Sequence, residues 1–440
     1  MTAPPSHHVA ILGCGVIGLS TALAILEADD GRAAKTVVTI VAKEVPDLGG
    51  AAKEHSAEYA SVWAGAHHVS DAKSERELRH DKTTFERMSM LARTRPWSRT
   101  ALPSTSAASP VVPSPPPSSS TDRQVGPEPL VWVHQTELFE SATSPQSTAT
   151  PPYKGILDWY PDFKPLPSSS LAKGIGWGCT FSTIDINVPV YHAWLLRRFL
   201  ELGGRLVVAE ASSLRHAIQL ASSPSSPSVI CSHPHTWTTV RKVDVLVASP
   251  GLGARTIDGL NDAAVHPQRG QVVVVHAPWL STASMPSWAD RPRHTLPGFS
   301  VVRAQGGREV YVIPRGDGSV VCGGTRIVDD WDPRPRDETT QRILQRCVAL
   351  VPHLADPRRT TGLTKAGVED VRVLGVNVGL RPARKGGVRL ERARDVDGVK
   401  VVYNYGYGGA GYQASWGAAL EAKALVEEAL GRASVPSSKL

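Results

Sequence analysis

The chain has 440 residues, 41% hydrophobic and 20% charged, ordinary for a globular protein and long enough for two or three cores. Its net charge of +7 comes from 48 Lys and Arg spread along the sequence, with no basic block and no zinc-finger, RNP or heptad pattern, which excludes a dedicated nucleic-acid binder. Cys14, Cys179, Cys231, Cys322 and Cys347 stand far apart without metal-ligand spacing and read as reduced intracellular thiols, and no apolar run reaches the ~18 residues of a membrane span.

The N-terminus, MTAPPSHHVAILGCG, lacks the basic region and long apolar core of a signal peptide. Instead, His8 to Leu12 forms an apolar strand that runs into Gly13-x-Gly15-x-x-Gly18, and Val16 and Ile17 open a helix with apolar periodicity to about Glu27. The glycines allow a tight turn and close backbone approach, and the helix N-terminus offers N–H groups and a positive dipole end to a pyrophosphate. A second strand at 36–42 is followed by Lys43 and Glu44. An acidic residue there takes ribose hydroxyls; Glu44 comes one residue late, and Lys43 in the expected slot leaves a 2′-phosphate open. GxGxxG does not separate NAD, NADP and FAD.

Residues 99–127, 141–152 and 222–236 are Ser/Pro-rich and bury too little apolar surface to offset chain entropy, so they read as loop insertions. Between them, strands at 205–211, 243–249 and 271–277 alternate with helices at 188–202 and 414–430, which argues α/β with antiparallel strands in the middle third. The chain ends in Ser438-Lys439-Leu440 after a Ser/Pro tail, the tripeptide read by the peroxisomal import receptor.

Six segments carry a resemblance. They are ASVWAGAHH (60–68), SPGLGART (249–256), PQRGQVVVV (267–275), YVIPRGDGSVVCGGT (311–325), VGLRPARKGGVRLE (378–391) and NYGYGGAGYQASWGAALEA (404–422). With the N-terminal motif they stand in the order of the D-amino-acid oxidase family of flavoproteins, which the chain resembles from residue 8 to residue 440. The resemblance implies FAD. It also implies a discontinuous Rossmann-like FAD-binding domain (1–64, 184–265, 374–434) and a substrate domain with a mixed or antiparallel sheet (65–183, 266–373), followed by the targeting tail 435–440. The cofactor contacts it implies are Gly13, Gly15, Val16, Ile17, Gly18, Lys43, Glu44, Ala60, Ser61, Gly65, Ala66, Ala211, Ser249, Gly251, Arg381, Gly408, Gly409, Gly411, Tyr412 and Gln413. Pro250 departs from the small hydroxyl residue usual in the family.

Gly406, Gly408, Gly409 and Gly411 precede a helix starting near Gln413, a second Gly-rich loop whose N–H groups would stabilise negative charge on a reduced flavin ring. Arg269-Gly270-Gln271 reads as structural. In the resemblance, Arg381 of GLRPAR grips the substrate α-carboxylate, with Tyr311 reaching the same group and Gly409 beside it. The activity implied is hydride transfer from Cα to flavin N5, giving an imino acid that hydrolyses in solution to the 2-oxo acid and ammonia, while dioxygen reoxidises the flavin and becomes hydrogen peroxide. Arg326, after Gly323-Gly324-Thr325, matches the branch specific for D-aspartate, where neutral-substrate enzymes carry an aromatic residue; a second arginine would pair the side-chain carboxylate of D-aspartate, D-glutamate or N-methyl-D-aspartate. Two alternatives stay open: an Arg326 turned outward to Asp329 or Asp330, and an oxidase of neutral D-amino acids. His67, His68, Arg303 and Arg308 are further candidates for the side-chain end. Homo-oligomer formation is not legible.

Overall fold

The computed structural model describes residues 7–28, 36–48, 54–99, 127–140, 151–223, 229–231, 242–280, 296–301, 309–359 and 366–432. In chain order the first unit is β1 (His7–Leu12), α1 (Val16–Leu26) and β2 (Thr36–Ala42). There follow α2 (Glu75–Thr94), β3 (Leu130–Glu140), β4 (Lys164–Pro165), β5 (Ile175–Ile186), α3 (Val188–Glu201), β6 (Arg205–Val208), α4 (Leu214–Ser222), β7 (Val229–Cys231) and β8 (Val245–Ala248). The last part comprises β9 (Val265–His276), β10 (Leu296–Val301), β11 (Val310–Pro314), β12 (Ser319–Gly323), β13 (Ile327–Val328), α5 (Asp337–Leu350), β14 (Arg372–Arg384), β15 (Arg389–Val396), β16 (Val399–Tyr405) and α6 (Gly411–Ala429).

Two sheets divide these strands. The first has the order β15-β16-β8-β1-β2-β6-β7, parallel across β16, β8, β1, β2 and β6 with antiparallel edges. Its central strands read as unbroken apolar runs because both faces are covered. Val9, Ile11, Val38 and Ile40 meet α1, α3 and α6 on one side, and Ala10, Leu12 and Val41 meet α4 on the other. The second sheet runs β13-β9-β12-β11-β10-β3-β5-β4, with β14 added to β9; its pairings are antiparallel except β10 with β3. Helix α5 covers one face of it through Ile343, Leu344 and Cys347.

The expected boundaries differ from this arrangement in two places. β14, expected from residue 374 on in the FAD-binding domain, pairs with β9 of the second sheet from Arg372↔His276 to Arg384↔Val265. The long β9 offers a free ladder there, and strand pairing is a property of partners rather than of the segment. Helix α2, expected in the substrate layer, packs on α6. This close approach requires glycine at 417, because a Cβ there would lie 2.3 Å from the His80 Cα. The targeting tripeptide, Arg303 and Arg308 lie outside the described residues, as do most of the Ser/Pro-rich insertions.

Candidate active site

A cavity of about 580 Å³ opens at the C-terminal ends of β1, β2 and β8 and continues to the second sheet. This is where parallel α/β sheets bind ligands. It is lined by Gly13, Gly15, Val16, Ile17, Lys43, Glu44, Ala60, Ser61, Ala211, Ser249 and Gly251 from the nucleotide end, and by Gly65, Ala66, His67, Tyr311, Arg326, Arg381, Gly408, Gly409, Gly411, Tyr412 and Gln413 from the other. Of the expected cofactor contacts, Gly18 alone is not among the lining residues. A Cβ on it would sit 2.1 Å from the Gly13 carbonyl oxygen, so its role is to let α1 close against the turn.

The nucleotide end fits a pyrophosphate-bearing cofactor. Gly13 has φ +108, and a Cβ there would meet the Ser249 carbonyl oxygen at 2.3 Å, so the turn requires glycine. Gly15 is the N-cap of α1. The Val16 N–H is already engaged, donating to Ser61 Oγ at 3.1 Å. Ser249 lines the cavity, and its buried hydroxyl has no hydrogen-bond partner among the described residues. Lys43 is exposed and paired with Glu210 at 3.0 Å, whereas Glu44 accepts the Ser56 N–H at 2.8 Å.

At the other end the sheet aims two arginines and a tyrosine into one space. The Arg381 guanidinium lies over Gly270, where a Cβ would come within 2.4 Å of its Cζ, and donates from Nη1 to the Thr325 carbonyl at 2.8 Å. The Tyr311 ring covers Gly323 and Gly324; a Cβ on Gly323 would lie 2.1 Å from that ring, so the Gly-Gly pair exists to admit the tyrosine. Burial raises the Tyr311 pKa, opposed chiefly by the Arg381 charge, and the hydroxyl stays a donor at neutral pH. Arg269, as expected, is structural: fully buried, it donates to the Asp332 carbonyl at 2.7 Å.

Arg326 does not turn to the aspartates that follow it. Asp330 pairs with Arg336 at 2.7 Å, and Asp332 with Arg334 at 3.0 Å. Arg326 lines the cavity, where its Nη2 would be 3.6 Å from a Cβ on Gly409, and its Nε is 2.8 Å from the Glu309 carboxylate. Sequence reasoning missed Glu309. The available signal was its spacing from Tyr311, since residues two apart on extended backbone face the same side. Asp71 was missed too; it lines the cavity and accepts from the Gln413 side chain at 2.9 Å. Of the paired histidines, His67 lines the cavity, with its ring centroid 6.3 Å from that of Tyr311. His68 is instead buried, contacting the Tyr160 hydroxyl at 2.7 Å and the Gln413 carbonyl at 3.1 Å, and is not a substrate group. Burial lowers its pKa to about 4.

Residues 156–425 match the family described as FAD dependent oxidoreductase. The chain is 32% identical to a D-aspartate oxidase of Cryptococcus neoformans var. grubii, over 96% of this chain and 98% of that protein. It is 27% identical to a D-amino-acid oxidase of Fusarium vanettenii over 96% and 97%. Among solved structures, glycine oxidase from Geobacillus kaustophilus shares the fold with a TM-score of 0.61 at 16% identity, covering 96% of this chain and 95% of that one. A Mycoplasma pneumoniae L-alpha-glycerophosphate oxidase with FAD bound does so at a TM-score of 0.57 and 16% identity, covering 96% and 94%. The two glycine-bearing turns, the cavity that joins them and these matches together make the chain a member of the D-amino-acid oxidase family of FAD-dependent oxidoreductases, with FAD as its cofactor.

Proposed function

We propose that the protein oxidises acidic D-amino acids, D-aspartate first and D-glutamate or N-methyl-D-aspartate after it, to the 2-oxo acid, ammonia and hydrogen peroxide. The observation that carries this is the second guanidinium, Arg326, lining the same cavity as Arg381 and Tyr311. FAD, when bound, supplies the acceptor for the Cα hydride and passes the electron pair to dioxygen. The chain's own residues position the substrate. Arg381 offers parallel N–H donors to the α-carboxylate, and the protonated Tyr311 hydroxyl donates to the same group. With the amine neutral, no general base is needed at Cα; orientation and exclusion of water do the work, and the imino acid so formed is hydrolysed by water in solution to the 2-oxo acid and ammonia. Arg326 then offers its donors to the distal carboxylate, a contact that a neutral side chain does not make.

The names of the two oxidases above support the D-amino-acid class, and the Cryptococcus relative supports the acidic branch. A second reading, oxidation of neutral D-amino acids, is favoured by one observation: Glu309 already neutralises Arg326. Ser438-Lys439-Leu440 supports import into the peroxisome matrix. The test is peroxide release from the purified FAD-loaded protein with D-aspartate, D-glutamate, N-methyl-D-aspartate and D-alanine. The expected result is a higher kcat/KM for D-aspartate than for D-alanine; the reverse order overturns the acidic assignment. Deleting the last three residues is expected to leave activity intact and move the protein to the cytosol, and unchanged location on cell fractionation rules the address out.

A further inference from the structure

We propose that Glu309 sets how sharply this pocket separates acidic from neutral D-amino acids, by holding a fixed counter-charge on Arg326. The inference rests on the reading of Arg326 as the group for the distal carboxylate. Glu309 Oε1 is 2.8 Å from Arg326 Nε, with the Glu309 side chain 10% exposed and that of Arg326 32%. Both residues line the cavity. The backbone fixes the pair, since the Glu309 carbonyl accepts the Gly324 N–H at 2.9 Å and so ties the start of β11 to the turn that carries Arg326.

The contact is made at Nε, the inner edge of the guanidinium. The Nη2 end remains beside Gly409, within the cavity. An arriving carboxylate therefore meets donors, but on a group whose net charge is already balanced, and it feels Glu309 as a like charge nearby. Its gain is smaller than an unpaired arginine would give. A neutral side chain, conversely, does not leave a desolvated cation without a partner, which is the usual penalty that such an arginine imposes. Glu309 narrows the discrimination from both sides. It touches Arg326, not the reacting atoms, and is a positioning and charge-setting residue.

The test uses FAD-loaded Glu309→Gln beside the parent enzyme and Arg326→Leu. Two unreactive skeletons are titrated by their perturbation of the flavin spectrum: succinate for D-aspartate and propionate for D-alanine. In Glu309→Gln, succinate is expected to bind about tenfold tighter while propionate is unchanged or weaker, on the order of one charge-assisted contact. The D-aspartate to D-alanine ratio of kcat/KM should rise by about the same factor, through KM rather than kcat. Glu309→Asp should return both ratios toward the parent. A ratio that stays the same or falls in Glu309→Gln overturns the proposal. If Arg326→Leu abolishes the succinate preference while Glu309→Gln leaves it as in the parent, the acidic site stands and only the role of Glu309 fails. If the preference survives Arg326→Leu, the acidic site itself fails. Should Glu309→Gln not yield FAD-loaded protein, Glu309→Ser removes the same charge and is read by the same ratios.

Discussion

Gly270 of β9 lies directly under the guanidinium of Arg381, so close that a Cβ on it would fall 2.4 Å from the arginine Cζ and Nη1. The arginine proposed to hold the substrate α-carboxylate is seated by a missing side chain on the neighbouring strand.

Gly270→Ala is therefore expected to act on catalysis more than on stability. The obstruction is the far end of a flexible side chain, which swings aside at little cost, but the swing breaks its bond to the Thr325 carbonyl and displaces the carboxylate grip. A displacement on the order of 1 Å costs about a hundredfold in rate. Steady-state kinetics should show D-aspartate and D-alanine losing kcat/KM together, with the melting temperature close to that of the parent. A large drop in melting temperature with kinetics intact would contradict this placement.

Substitution of the two arginines should separate their roles. Arg381→Leu is expected to damage every substrate, since all carry the α-carboxylate. Arg326→Leu should damage D-aspartate selectively, because it removes the distal donors and leaves the Glu309 carboxylate facing an incoming anion. Loss of such a pair in a desolvated pocket costs about 3–5 kcal/mol, or about two to four powers of ten in kcat/KM. D-Alanine oxidation by Arg326→Leu should stay within about threefold of the parent, as no bond to that substrate is lost. Equal losses on both substrates would remove Arg326 from substrate selection.

Gly13→Ala should release the cofactor. The residue sits at φ +108 with the Ser249 carbonyl 2.3 Å from where the methyl would be, and that obstacle is backbone. Strain of about 1–3 kcal/mol plus the clash forces the first turn away from β8. The flavin-to-protein absorbance ratio of the purified variant reads this, and retention of FAD at the parental ratio would contradict it. Gly15→Val should also lose FAD, since its Cβ already stands 3.0 Å from the Ser61 Oγ that holds the helix start.

Asp81 gives the fold a pH dependence. Burial pushes its carboxyl up to about 7, against hydrogen bonds from the Ser70 hydroxyl and the Gln413 side chain that favour the ionised form. Its folded pKa lies above the ordinary carboxylate value of about 4, so between these two pH values the folded chain holds a proton that the unfolded chain has lost. Stability from this group is greatest below about pH 4, falls as pH rises to about 7, and is then level. Asp81→Asn should accordingly raise the melting temperature at about pH 8 and change it little at about pH 4. An equal shift at both pH values would mean that the carboxyl is not protonated in the fold.

Some of this protein is set by short-range chemistry and is legible in a line of letters. β2 occupies 36–42 as its apolar run indicates, and α1 begins at Val16, straight after the glycine turn, because glycine turns, apolar runs and helix starts depend on residues within one or two turns of each other. The residue types of the cavity were legible by another route, the family resemblance carried by GLRPAR and the Gly-rich segment before α6. Partnership was not. β14 joined β9 because strand pairing depends on which edge is free. Gly18 left the cavity because α1 needed its surface to close on Gly13. The choice between His67 and His68 turned on which side of the chain faces the cavity, and adjacent residues on extended backbone face opposite ways. The charge beside Arg326 was hidden most deeply. Asp329 and Asp330 are nearer in sequence, but the pairing of Tyr311 with Gly323 brings Glu309, seventeen positions away, across to it, while Arg336 takes Asp330. An ion pair forms between charges that folding brings within a few ångströms, and sequence distance sets that only within a single turn.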